Sequence, residues 1–116
     1  MVNMRFDHPL ARAQLLEHGV CYTLRKRRAF TSSQYWDTPV KVSIVDTGRS
    51  GTRRFCSQGF LKESDSPVWP MLAGHLAESG FASVVEWQQA ALGFSGTGTY
   101  ILYRVELDAL VEMLDG

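Results

Sequence analysis

The chain has 116 residues, 45% of them hydrophobic and 11% aromatic, and its formal charges cancel to zero. That is enough for one domain over residues 1–116 with a real core. No run approaches the roughly 18–20 apolar residues of a membrane span, and Met1 to Asp7 lacks a signal-peptide apolar block, so a cytoplasmic protein without membrane contact is expected.

Asp7 or His8 followed by Pro9 predicts a helix start with proline at its first position. Leu10, Ala13 and Leu16 would share its inner face, and Gly19 would end it. The next stretch, GVCYTLRKRRAF, reads as a strand from Cys21 to Arg25. With period two, Tyr22 and Leu24 point one way and Cys21, Thr23 and Arg25 the other. A polar loop through Thr31 to Gln34 separates it from Val40, Val42 and Ile44, which alternate with Lys41 and Ser43 as a half-buried strand. DTGRSG is turn chemistry, and Arg53 to Leu61 returns as the hairpin partner.

Beyond the SDSPVWP loop a short helix is expected from Pro70 to about Glu78, with Met71, Leu72, His75 and Leu76 inward and Gly80 as its breaker. Ser83 and Glu86 form a capping box for a helix running to about Leu92, with Val84, Trp87 and Ala91 on its apolar side. YILYRVEL, residues 100–107, is the strongest strand former, and Asp108 would cap a last short helix. Helix, three strands, two helices, strand and helix make an α+β domain with a curved, mostly antiparallel sheet.

Zero net charge conceals a split. Residues 1–62 carry 11 of the 12 Lys and Arg against 4 acids, a surplus of seven, and residues 63–116 carry Arg104 against 8 acids, a deficit of seven. Such asymmetry either neutralises itself on folding or marks a basic face for an anionic partner. On the basic side Thr23 and Arg25 share a strand face, where a hydroxyl and a planar guanidinium fork suit a phosphate. Lys26, Arg27 and Arg28 extend the charge, and Arg53 and Arg54 lie on the predicted neighbouring hairpin. Tyr35, Trp36 and Phe55 supply rings on which unpaired bases could stack. Tyr22, Trp87 and Tyr103 fall on apolar faces and are expected in the core. Cys21 and Cys56 read as buried reduced thiols, and the three histidines have no ligand spacing, so neither metal nor cofactor is implied.

The order helix, glycine, strand ending in Thr-x-Arg resembles the ASCH domain family. Leu15 and Leu16 with Gly19 match its helix end, Thr23 and Arg25 its strand positions, and Asp37 the acid before its next strand. ESGFASVVEW is similar to its helical insert and YILYRVEL to its last strand, so the likeness spans roughly Phe6 to Leu107. The resemblance implies a PUA-like curved, mostly antiparallel β-barrel flanked by short helices, and binding of RNA or a nucleotide in a cleft around Thr23 and Arg25. One branch of the family resembles an amidohydrolase of acetylated cytidine that uses Lys, Thr and Glu, for which Thr23 and Glu78 match two members. The lysine position falls on Val20 or Cys21, the glycine of a Gly-Asp pair on Trp36, and the segment from Gly19 to Arg25 is one residue short. A threonine hydroxyl without an adjacent base is inert near neutral pH, so binding is expected ahead of hydrolysis. A third reading makes the acidic helices over 70–92 a docking surface for a basic protein partner.

Overall fold

Val40, Val42 and Ile44 alternate with polar residues, and the alternation does build a strand with its apolar row inward. The computed structural model describes residues 2–27, 38–61 and 70–109. In chain order the elements are β1 (Val2–Met4), α1 (Pro9–His18), β2 (Val20–Lys26), β3 (Val40–Ile44) and β4 (Arg49–Leu61), then a 3₁₀ segment (Pro70–Glu78), α2 (Val84–Ser95) and β5 (Gly98–Leu107). The strands form one five-stranded sheet in the order β1-β3-β4-β5-β2. β1 runs parallel to β3, and the other three pairings are antiparallel. The chain is therefore α+β with a mixed sheet, and among the described residues that sheet stays open, with β1 and β2 at its margins. β1 was not anticipated because three residues carry no usable periodicity. The expected final helix lies outside the described residues apart from Asp108.

Each sheet face carries its own core. One holds Phe6, Ala11, Leu15, Cys21, Val42, Ile44 and Val105; the other holds Leu24, Leu61, Leu72, Trp87, Tyr100 and Leu102. Leu61 reaches the second core through a register shift between Phe55 and Ser57. The extra residue there, Cys56, reverses the parity of the rest of β4. Cys56 is consequently exposed, a correction to its expected burial, whereas Cys21 is buried.

Two helix faces also differ from expectation. In α1 the buried positions are Ala11 and Leu15, an i, i+4 pair, and Leu10 is 47% exposed. Residues 70–78 wind as a 3₁₀ helix with three residues per turn, in which Leu72 is fully buried and Met71 is exposed. The predicted caps are in place. His8 Nδ1 accepts from the Leu10 amide at 3.2 Å, Gly19 closes α1 at φ 77°, and Ser83 Oγ accepts from the Glu86 amide at 3.1 Å.

Gly80 sits at φ +90° against the Leu10 carbonyl, where an added Cβ would collide with that backbone oxygen. Gly93, inside α2, has open space around it. Gly80→Ala is expected to cost about 1–3 kcal/mol, whereas Gly93→Ala should gain about 0.5–1 kcal/mol from helix entropy. Urea denaturation of the two variants checks both signs.

Candidate functional site

β2 pairs with β5 from Val20 opposite Glu106 to Lys26 opposite Tyr100. That register sets Cys21, Thr23 and Arg25 on the first core's face and Tyr22, Leu24 and Lys26 on the second, the alternation read from sequence. Thr23 and Arg25 meet directly: Arg25 Nε donates to Thr23 Oγ1 at 3.1 Å, and the guanidinium carbon lies 4.5 Å from the centre of the Phe6 ring. A neighbour two residues away and an aromatic face together fix the orientation of the fork. No carboxylate lies within 4.0 Å of Arg25 among the described residues. Its pKa is lowered, first by burial and, secondarily, by the like charge of Arg53; Cys21 and Asp7 act in the opposite direction. Arginine nevertheless remains charged throughout the physiological range.

Thr23, Arg25 and Lys26 all line a cavity of about 240 Å³ beside β2. The segment from Arg5 to His8 forms one wall, and Phe81 with Trp87, Phe94 and Ser95 of α2 forms the other. The aromatic side is itself packed: His8 contacts Phe81 at 4.7 Å and Phe94 at 5.9 Å between ring centres, and Phe81 stacks on Trp87 at 6.5 Å. Phe94 is 61% exposed, so an unshielded ring stands at the cavity wall. Arg5 brings a further cation but shares it with Asp7 at 3.8 Å and Asp46 at 3.6 Å. Lys26 Nζ donates to the Ser95 carbonyl at 3.1 Å, a cation at the C-terminus of a helix.

The remaining predicted residues disperse. Arg53 shares the Thr23 face, with its guanidinium carbon 4.5 Å from the centre of the Tyr103 ring and its buried Nε without a hydrogen-bond partner, but it does not line the cavity. Arg54 points to the opposite face, opposite Arg104 in register. Arg27 is exposed, its amide donating to the Thr99 carbonyl at 2.7 Å. Arg28, Tyr35 and Trp36 lie outside the described residues. Glu78 does not line the cavity, and the group bonded to the Thr23 hydroxyl is a guanidinium N–H, which cannot accept its proton. Phe6 and Phe94, unmarked in the sequence reading, prove to be cavity residues. Phe6 directly before a helix start, and Phe94 between two glycines, were the available signals.

No group of three or more metal-ligating side chains occurs among the described residues, and no described helix is long and apolar enough to cross a membrane. The chain matches no family model, and neither curated proteins nor solved structures give a match.

Cys21 lies beneath this site with its thiol 3.7 Å from the Ser79 carbonyl, and burial pushes its pKa up to about 12. An acid whose folded pKa exceeds its unfolded value stabilises the fold below the unfolded pKa. That contribution is lost as pH rises from about 9 toward about 12. At pH 8 a disulfide exchange reagent should therefore modify Cys56 alone in the folded chain, and Cys21 only in urea. Cys21→Ala should flatten the alkaline loss of stability.

Proposed function

We propose that this chain is a PUA-like ASCH domain that binds a nucleotide, free or as an unpaired unit of RNA, in the cavity beside β2. The observation that carries this reading is the Arg25 guanidinium. It is oriented by Thr23 and Phe6, lines the cavity, and lacks a carboxylate partner among the described residues. Oriented guanidinium forks favour phosphate oxygens. The exposed Phe94 ring at the cavity offers a surface suited to a base, and phosphate attraction with base stacking is the division of labour seen where proteins hold unpaired nucleotides. At about 240 Å³ the space suits one nucleoside unit; drug-sized sites run roughly 300–1,000 Å³. The surplus of basic residues in the first half of the chain supports attraction of a polyanion toward it.

Titration of short single-stranded RNA at two salt concentrations tests the reading. Affinity should fall with salt at a slope of roughly −0.7 per phosphate neutralised; salt-independent binding, or none, refutes it. Arg25→Ala should weaken binding by about 10- to 100-fold, the equivalent of losing a charge-assisted hydrogen bond of about 1.5–3 kcal/mol. Arg25→Lys should not restore it, because a point charge lacks the fork. Phe94→Ala should cost about 1–3 kcal/mol if a base stacks there, measured by fluorescence anisotropy.

A further inference from the structure

We infer that the backbone N–H and C=O of Leu24 read the hydrogen-bonding edge of the ligand's base. The inference rests on the nucleotide reading above and goes on to say how the base, as distinct from the phosphate, is held. Among the described residues β2 is a margin of the sheet, paired with β5 on one side only. The Leu107 amide donates to the Gly19 carbonyl and the Arg27 amide to the Thr99 carbonyl. In an antiparallel ladder those two bonds fix the pattern between them. The odd residues, Cys21, Thr23 and Arg25, exchange hydrogen bonds with β5. The even residues, Val20, Tyr22, Leu24 and Lys26, turn their N–H and C=O away from the sheet.

That outward row is only partly satisfied. Gln14 Nε2 donates to the Val20 carbonyl at 3.1 Å, and the Cys21 thiol approaches the Tyr22 carbonyl at 3.4 Å. The N–H and C=O of Leu24 receive no partner among the described residues, and Leu24 lines the cavity. Backbone polar groups at the margin of such a recess require a partner, either water or ligand. One strand residue presents its donor and acceptor side by side, in one plane and on one side. Every nucleobase carries an adjacent donor and acceptor on its Watson–Crick edge. An added peptide strand pairs along a whole row of outward groups. Here the two preceding carbonyls are engaged and the Arg5–His8 segment and α2 stand on either side. Phe94, exposed and lining the same cavity, offers a ring face to a base. Arg25, the next residue along the strand, sits where the attached phosphate would reach.

The experiment compares the four nucleoside 5′-monophosphates with ribose 5-phosphate by calorimetry, and follows the Leu24 amide by ¹⁵N–¹H NMR. The expected result is that at least one base-bearing ligand binds on the order of 10- to 100-fold tighter than ribose 5-phosphate. At saturation its Leu24 amide proton moves downfield and is protected from exchange. A methyl group on the Watson–Crick nitrogen of that same nucleotide should remove the advantage. Equal affinity for all five ligands overturns the inference and leaves the anion site standing. A base preference with an unmoved Leu24 amide overturns the strand-edge assignment. Absence of binding by every ligand overturns the nucleotide reading itself.

Discussion

A strand at the margin of a sheet has two rows of backbone groups and only one neighbour to satisfy them. β2 is such a strand, and everything around the cavity is arranged by that fact. Its odd residues bond to β5, which fixes Thr23 and Arg25 on one face and Leu24 on the other. Its even backbone groups face outward, where no strand follows among the described residues. Natural sheets protect such margins with loops, helices and charges. Here the cover consists of the Arg5–His8 segment, the C-terminal half of α2 and the cations Arg25 and Lys26.

The facing wall is held in place as deliberately as the strand. The Tyr100 hydroxyl, almost fully buried, donates between the Ala91 and Gly96 carbonyls, and Lys26 reaches the Ser95 carbonyl. These three carbonyls belong to the end of α2, where intrahelical donors run out. One residue of β2 and its register partner on β5 thus hold the same helix end. At Gly98 a side chain would run into the Lys26 stem, so the lysine's path over the strand depends on a missing Cβ. Cavity shape and sheet register are therefore set by the same few side chains.

Much of this was readable in the residues. The parity of Cys21 to Arg25, the caps at His8, Gly19 and Ser83, and the β3–β4 hairpin follow from local rules of period, capping and turn chemistry. What escaped the sequence was set by long-range geometry. Arg53 and Arg54 are adjacent in the chain, yet strand alternation sends them to opposite faces, and only the register with β5 shows which one shares a side with Arg25. The bulge at Cys56 has no residue signature, so neither its exposure nor the crossing of Leu61 to the second core could be foreseen. Phe6 and Phe94 look like ordinary hydrophobes until the sheet margin brings residues near both ends of the chain to one hollow. Residues 70–78 wind as a 3₁₀ helix and leave Met71 exposed, which only the packed fold shows.

The pairing of β2 with β5 has a kinetic side. Residues 20–26 find their strand partner at 100–106, so during synthesis the earlier strand emerges long before that partner can zip onto it. Distant pairings of this kind slow folding, since a long loop must close before contacts reward it. Until the last strand arrives, both margins of β2 are bare, and a nascent chain stalled short of Gly98 presents an unpaired ribbon open to self-association. The basic tail of that ribbon, Arg25 through Arg28, then acts as an electrostatic gatekeeper against stacking, a second use for Arg25 and Lys26, which line the hollow of the finished fold.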